Sequence, residues 1–174
     1  MNNIFLIGYM GSGKTTVGRL LADALSYDFE DTDNMIVERE GRPISDIFAK
    51  DGEPYFRRLE TDLLNDLYNN GLNGTVLSTG GGLPVDKKNR PILKKIGKVI
   101  YLRARAESLY MRLKEDKGRP LLETDDKLKK IREMLAVRGP IYEETADIII
   151  DTDELDAGET VDKIIMSVNK SKSS

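Results

Sequence analysis

The feature that most constrains this 174-residue chain is GYMGSGKTT at residues 8–16, which directly follows the apolar run IFLI. The pattern G-x-x-x-x-G-K-[ST] runs from Gly8 to Thr15. A strand before this pattern and a helix after it identify a phosphate-binding loop, and the apolar residues of VGRLLADAL at 17–25 have helical spacing. The alternative, a glycine turn with a surface lysine, leaves that context unexplained. We therefore expect an α/β fold that binds a nucleotide.

The loop also predicts which groups hold the nucleotide. Glycines let backbone N–H groups close around phosphate oxygens, and the helix N-terminus adds the positive end of a dipole. The Lys14 ammonium is expected to reach the β- and γ-phosphates, while the Thr15 hydroxyl is expected to ligate Mg²⁺. The nucleotide-binding residues expected from the loop are Gly11, Ser12, Gly13, Lys14, Thr15 and Thr16.

Composition excludes several kinds of chemistry. The chain contains no cysteine and no histidine, which excludes disulfides, thiolate or imidazole metal sites and histidine acid–base catalysis. The net charge of -3 disfavours nucleic-acid binding. The first apolar run is too short for a signal peptide, and no run approaches a membrane span. We expect a single domain over residues 1–170 in the cytoplasm, without nucleic-acid or membrane partners, and a disordered tail at 171–174.

Short apolar runs alternate with helical patterns along the chain. Such alternation predicts a parallel sheet with helices between its strands. Ligands of such sheets bind at the carboxyl ends of the strands, where the motifs described below also fall. The predicted strands are 3–7, 28–31, 75–79, 98–102 and 147–151, and the clearest helices are 17–25, 44–48 and 55–68.

The lack of an N-K-x-D sequence disfavours a GTPase, and a motor or helicase needs a longer chain, so a small nucleotide-driven transferase remains. Asp31 and Asp33 stand two residues apart at the end of a short strand, where both carboxylates can face the same way. One would serve Mg²⁺ and the other the acceptor hydroxyl. The alternative is a helix cap, because DTDN is typical of a helix N-terminus. We interpret Asp151 as a strand terminus, which leaves the metal role to Asp31.

Two arginines suit an acidic acceptor. In YFRRLETDLLNDLY at 55–68, Arg57 lies at the edge of an apolar helix stripe. Glu60 falls inside that stripe, three residues on, where it can hold the guanidinium; a buried structural ion pair is the alternative. Arg138 lies among apolar neighbours on a later helix. Two inward arginines suit a carboxylate, because arginine binds it bidentately.

Two glycine-containing stretches complete the pattern. VLSTGGGLP at 76–84 ends a strand with three glycines, which offer backbone N–H groups to ligand oxygens unless they form only a flexible connection. KEDKGRPLLETDD at 114–126 is a charged loop between two helices, where Arg119 could reach over the phosphates unless the loop is merely solvated. The residues alone therefore predict a small, hydroxylated carboxylic acid as the acceptor.

Taken together, these motifs resemble the shikimate kinase family. GYMGSGKTTVGRLLA, DTD, IFAKDGEPYFRRLE, LSTGGG, RPLL and VRGPIYEETAD occur in the family's order and spacing over nearly the whole chain. The resemblance implies a nucleoside-monophosphate-kinase-like P-loop NTPase fold, which is a three-layer sandwich with strand order 2-3-1-4-5 and a mobile lid at 113–125. It also implies transfer of the γ-phosphate of ATP to the 3-hydroxyl of shikimate, in aromatic amino-acid biosynthesis.

The resemblance implies roles on the acceptor side, within an acceptor-binding segment at 33–70 and beyond it. Asp33 would hold the reacting hydroxyl and act as its base. Arg57 and Arg138 would clamp the shikimate carboxylate. The backbone of Gly81, with Gly82 beside it, would meet the ring hydroxyls.

On the nucleotide side, the resemblance implies that Asp31 supports Mg²⁺ and that Arg119, as the lid arginine, contacts the ATP phosphates. Arg112 would stack on adenine. The catalytic residues would then be Asp33, Lys14 and Arg119. One departure from the family is the acidic loop DTDELDAG at 151–158, where members often carry a basic residue and a proline against adenine.

Two alternatives stay open from the residues. A kinase of another polyol acid, such as gluconate, would show little selectivity for shikimate. A regulatory nucleotide-binding module would be expected to lack Asp33, Arg57 or Arg119, and all three are present. The small size of the chain predicts a monomer.

Overall fold

The computed structural model describes residues 2–115 and 126–172. Five parallel strands form one sheet in the order β2-β3-β1-β4-β5, which confirms the expected topology. The strands are β1 Ile4–Ile7, β2 Asp28–Asp31, β3 Thr75–Ser78, β4 Lys98–Arg103 and β5 Ile148–Asp151. The helices are α1 Lys14–Leu25, α2 Thr32–Glu40, α3 Ile44–Asp51, α4 Glu53–Asn70, α5 Asn89–Ile96, α6 Ala106–Glu115, α7 Asp126–Thr145 and α8 Ala157–Lys172.

The sheet separates two hydrophobic cores, and β1 contributes to both. Side chains alternate across a strand, so Phe5 and Ile7 join one core while Ile4 and Leu6 join the other. The first core is covered by α4, α5, α6 and α7, and the second by α1 and α8. Because β1 is buried on both faces, its run IFLI is continuously apolar. The result is the expected three-layer sandwich.

Two details differ from the sequence-based expectation. Asp33 does not continue β2, because α2 begins at Thr32 and places Asp33 in its first turn. The last helix, α8, extends through Lys172 and so runs two residues into the expected tail at 171–174. There the Ser171 hydroxyl donates to the Val168 carbonyl, and Val168 packs on the second core.

Some expectations fall on residues that the structure leaves out. Most of the predicted lid at 113–125 and the whole of Arg119 lie outside the described residues, as do residues 173–174 of the tail. Within the described ranges, none of the helices combines the length and apolar character that a membrane span requires.

Candidate active site

The phosphate-binding loop joins β1 to α1. Gly8, Gly11 and Gly13 all have positive φ angles, of 150°, 81° and 89°, which a residue with a side chain rarely adopts. The last of these glycines directly precedes the first turn of α1. Lys14 crosses the mouth of the loop and donates from Nζ to the carbonyl oxygens of Gly8 at 2.8 Å and Tyr9 at 3.1 Å. A cation and a helix N-terminus therefore meet at this end of the sheet.

A cavity of about 450 Å³ opens in front of the loop, at the carboxyl ends of β1, β2 and β3. It brings together most of the predicted site residues, namely Gly11, Gly13, Lys14, Thr15, Thr16, Asp31, Asp33, Gly81 and Arg112. Ser12 is buried in the loop and lines an adjoining cavity. Three predicted site residues do not line the cavity but lie beside it: Arg57, Arg138 and Gly82. Arg138 is next to Gly81 and Arg57 is next to Gly82, so both arginines reach the cavity at the glycine turn.

Asp31 and Asp33 lie on the same wall of the cavity, although they belong to different elements. Asp31 ends β2 and caps α2, with Oδ1 accepting from the backbone N of Asp33 at 2.9 Å and of Asn34 at 3.2 Å. The helix cap considered as an alternative is therefore present. It uses one carboxylate oxygen, so capping and a second role for Asp31 are compatible.

The cavity wall fits Mg²⁺ better than a metal that needs several protein ligands. Thr15, Asp31 and Asp33 present hard oxygen donors beside the phosphate-binding loop. Among residues 2–115 and 126–172, His, Cys, Asp and Glu form no group of three that would hold a metal by itself. Mg²⁺ is typically bound by one or two protein oxygens together with substrate phosphates and water.

Two of the three glycines after β3, Gly80 and Gly82, are required for space rather than for backbone freedom. None of Gly80, Gly81 and Gly82 has a positive φ, and Gly82 has φ -87° and ψ -14°, which any residue adopts. A β-carbon on Gly80 would lie 2.7 Å from Asp33 Oδ1. One on Gly82 would overlap the Arg57 guanidinium.

Gly81, the middle glycine, faces Arg138, the other predicted ligand of the acceptor. A β-carbon there would lie 3.5 Å from Arg138 Nη1. Gly80 and Gly82 thus let Asp33 and Arg57 approach the backbone, while Arg138 lies at ordinary contact distance from Gly81. The two guanidinium groups and the carboxylate therefore converge on one turn of the chain.

Arg57 is held by two glutamates of its own helix, α4. Its Nη1 donates to Glu60 Oε2 at 2.7 Å and its Nη2 donates to Glu53 Oε1 at 3.0 Å. The Arg57 side chain is 26% exposed, Glu60 is fully buried and Glu53 is 61% exposed. The neighbouring Arg58 is exposed and lies over the Tyr55 ring instead. These positions confirm the predicted helix faces.

Glu60 is a strongly perturbed acid of the site. Its pKa is raised to about 7, chiefly because the carboxyl is buried and in smaller part because of the nearby Asp33 charge. The hydrogen bond and the charge of Arg57 lower the pKa but do not offset this rise. Its Oε1 has no hydrogen-bond partner within the described residues. A β-carbon on Gly80 would lie 3.2 Å from that oxygen, so Glu60 and Asp33 approach the same glycine. Perturbed carboxyls in a cleft are typical of functional sites.

Comparison with known proteins explains this arrangement. A family model described as shikimate kinase matches residues 10–169. The chain belongs to the shikimate kinase family. The shikimate kinase of Dechloromonas aromatica is 45% identical over 97% of this chain and 91% of that protein. The shikimate kinase of Pasteurella multocida is 49% identical, over 89% of this chain and 88% of that protein.

A solved structure supports the same assignment. Shikimate kinase from Acinetobacter baumannii in complex with shikimate is 41% identical to this chain and superposes with a TM-score of 0.88. The match covers 99% of this chain and 95% of that one. The shikimate kinase resemblance inferred from the motifs is thereby confirmed.

The acidic loop at 151–158, the one departure from the family noted in the sequence, lies beside Arg112. Arg112 donates from Nη2 to the Thr152 carbonyl at 2.8 Å, next to a cavity that Asp156 and Ala157 also line. Asp156 Oδ1 accepts from the Glu159 backbone N at 2.8 Å, and Glu159 Oε2 accepts from the Asp156 backbone N at 2.9 Å. The acidic loop thus uses these carboxylates to cap α8.

Sequence reasoning missed two side chains that hold the glycine turn. The Thr32 hydroxyl accepts from the backbone N of Gly80 at 3.1 Å, and the Tyr142 hydroxyl donates to the carbonyl of Gly81 at 2.5 Å. Both residues are fully buried. Tyr142 lies on the same helix face as Arg138, which was the available signal. The role of Thr32 was hidden because it stands between two aspartates that are more obvious candidates.

Proposed function

We propose that this chain transfers the γ-phosphate of ATP to the 3-hydroxyl of shikimate, giving ADP and shikimate 3-phosphate. Family membership supports the reaction. The observation that carries its residue assignment is the convergence of Asp33, Arg138 and Arg57 on the glycine turn, beside the phosphate-binding loop. An anionic acceptor with hydroxyl groups suits two cations, a carboxylate and a glycine backbone that is partly exposed at Gly80 and Gly81.

The two arginines bind and orient the acceptor. Arg57 and Arg138 receive the carboxylate, and the backbone of Gly81 and Gly82 contacts the ring hydroxyls. Glu60 restricts the Arg57 guanidinium to one orientation, which suits bidentate binding. Fixing the acceptor at several points brings its hydroxyl into line with the γ-phosphate, and such positioning is a large part of phosphoryl-transfer catalysis.

Asp33 accepts the proton of the reacting hydroxyl. The hydroxyl oxygen then forms a bond to the γ-phosphorus as the bond from that phosphorus to the β,γ-bridging oxygen breaks, and ADP leaves. Lys14 stabilises the charge that spreads over the phosphate oxygens. Arg119 is assigned to the same charge by its place in the RPLL motif, outside the described residues.

Magnesium would be held by the Thr15 hydroxyl and supported by Asp31, with Ser12, Gly13 and Thr16 around the phosphates. The ion would neutralise phosphate charge when bound. The backbone of Gly11 and Gly13 provides donors to the phosphates, and Arg112 lies where it can stack on the base. A monomeric state and a location in the cytoplasm stay predictions from the sequence.

The test is ADP release from MgATP with and without shikimate, alongside gluconate and quinate at equal concentrations. We expect strong stimulation by shikimate alone. If gluconate or quinate stimulated ADP release to the same extent, the enzyme would be a kinase of polyol acids in general rather than of shikimate. ATP binding without stimulation by any of the three would favour a regulatory module instead.

A further inference from the structure

Tyr142 connects two parts of the acceptor site that belong to different elements. It lies on α7, is fully buried and packs against the Tyr101 ring of β4, with ring centroids 5.1 Å apart. Its hydroxyl donates to the Gly81 carbonyl at 2.5 Å, across 61 residues of sequence. The proposed acceptor ligands do not include it.

The same hydroxyl lies near Arg138, which precedes it by one helical turn, because a β-carbon on Gly81 would be 3.5 Å from Tyr142 Oη and 3.5 Å from Arg138 Nη1. Burial raises the pKa of Tyr142, and the charge of Arg138 and a hydrogen bond from it oppose that rise. The phenol therefore keeps its proton at neutral pH and donates it to Gly81, while its lone pairs stay available to Arg138. A tyrosine hydroxyl has one donor and two acceptor lone pairs, so it can donate to Gly81 and accept from Arg138 at the same time.

This bridge fixes the orientation of a peptide group. The Gly81 carbonyl and the Gly82 N–H belong to one planar trans peptide and point in opposite directions. Anchoring the carbonyl to α7 therefore also sets the direction of the Gly82 N–H. Gly81 lies between the phosphate-binding loop and α7, since a β-carbon there would be 3.5 Å from the Gly8 carbonyl oxygen and equally far from Tyr142 Oη.

We propose that Tyr142 is a positioning residue for the acceptor, whose hydroxyl holds the Arg138 guanidinium and the Gly81–Gly82 peptide in one fixed relation. This role rests on the proposed function of the site. It predicts that loss of the hydroxyl loosens the cation and the backbone together. A ligand that contacts both then binds less well, while a ligand of the phosphate-binding loop is unaffected.

Tyr142→Phe tests the proposal, because it removes one hydroxyl and keeps the ring that packs on Tyr101. Tyr101→Phe is the matched control, since it removes a hydroxyl from the adjoining buried tyrosine, which faces a groove lined by Arg103 and Glu143. We expect Y142F to raise the KM for shikimate about tenfold, which corresponds to one hydrogen bond to a charged or backbone partner. The KM for MgATP is expected to stay within about twofold in both variants, as is the KM for shikimate in Y101F.

Several outcomes would overturn the proposal. An unchanged KM for shikimate in folded Y142F, or equal increases in both KM values, would make the hydroxyl structural. An unfolded Y142F protein, judged by Tm, would do the same. If wild-type protein shows no shikimate-dependent ADP release, the proposed function itself fails. An active wild type with an unaffected Y142F removes only this inference.

A double variant provides an independent readout. Arg138→Lys replaces the planar guanidinium that Tyr142 is proposed to hold. If Tyr142 acts in part through Arg138, adding Y142F to R138K should raise the KM for shikimate by clearly less than the roughly tenfold increase expected for Y142F alone, because part of the effect is shared between the two residues. Additive effects of the two substitutions would separate Tyr142 from Arg138 and contradict the proposal.

Discussion

The two halves of this active site are built in different ways. The nucleotide half is centred on nine consecutive residues, 8–16, whose phosphate-binding groups are largely backbone groups that glycines and a helix N-terminus present. The acceptor half collects side chains from α2, α4 and α7 around the turn after β3. One half is therefore local in the chain, and the other exists only once the sheet and its helices have assembled.

This difference separates what each half can be used for. Backbone donors recognise any phosphate in the same way, so they provide binding that is independent of the acceptor. Charged side chains on separate elements recognise one arrangement of oxygens, and their geometry depends on packing between elements. We therefore expect substitutions in the acceptor half to alter acceptor kinetics selectively, and the predictions below test this separation from the largest effect to the smallest.

The largest effect is expected for Asp33→Asn. The change keeps the size of the side chain near Gly80 but removes the proton acceptor, so kcat should fall by about 10²- to 10⁴-fold. The fold and the affinity for MgATP should be preserved, as measured by Tm and by nucleotide binding. Near-normal turnover would remove Asp33 from its catalytic role and leave the acceptor half without an identified base.

Arg57→Ala should affect binding more than turnover. It removes one of two cations for the carboxylate, and we expect the KM for shikimate to rise about 10- to 100-fold. The KM for MgATP should change little. Arg58→Ala is the matched control, because that neighbouring arginine is exposed and lies over Tyr55. Equal losses for both substrates in R57A would show that the Arg57–Glu60 pair is structural.

The same division decides how much could be read from the sequence. The loop at 8–16, the five strands and the inward faces of Arg57 and Glu60 follow from local patterns and helical periodicity, and the structure confirms them. The reason for the three glycines does not follow from local pattern. Their φ angles are ordinary, and the lack of side chains at Gly80 and Gly82 makes room for groups on α2 and α4.

The misassignments have the same origin. The two-residue spacing of Asp31 and Asp33 suggests that both side chains follow the strand geometry, whereas the Asp31 cap starts α2 at Thr32, one residue before Asp33. The bond from Tyr142 to Gly81 spans 61 residues, and no local pattern reports such a contact. Residue types are enough to predict which chemical groups the site contains. Contacts between groups on different elements can be seen only in the folded structure.

A smaller and purely steric effect is expected for Gly82→Ala. The backbone at Gly82 is acceptable for alanine, but its β-carbon would overlap the Arg57 guanidinium and displace it. We expect the KM for shikimate to rise about tenfold, the loss of roughly one charged hydrogen bond, with little change for MgATP.

Gly139→Ala is the control for that substitution. Gly139 lies on α7 beside Arg138, and a β-carbon there would meet nothing within 4 Å. Its KM values should match those of the wild type. A G82A protein with unchanged acceptor kinetics would show that Arg57 relocates without loss, and the steric account of the glycine turn would be wrong.

The smallest effect concerns protons. The raised pKa of Glu60, about 7, leaves this carboxyl partly ionised at neutral pH. An acceptor carboxylate at Arg57 and Arg138 adds negative charge and competes for Arg57, and both changes raise the pKa of Glu60 further. Shikimate binding at pH 7 should therefore take up about 0.3 to 0.5 of a proton. Calorimetry in buffers of different ionisation enthalpy measures this uptake directly.

Two variants assign the proton. Glu60→Gln should abolish the uptake, whereas Glu53→Gln, which removes the exposed partner of the same guanidinium, should retain it. Folding stability has a matching sign: because the folded pKa exceeds the ordinary 4.5, the contribution of Glu60 is fully present below pH 4.5 and is lost as the pH rises through about 7. The E60Q protein should lose that slope in its free energy of unfolding. Proton uptake that persists in E60Q would show that another group takes up the proton. Glu60 would then be only a fixed partner of Arg57, and proton uptake would not link Glu60 to acceptor binding.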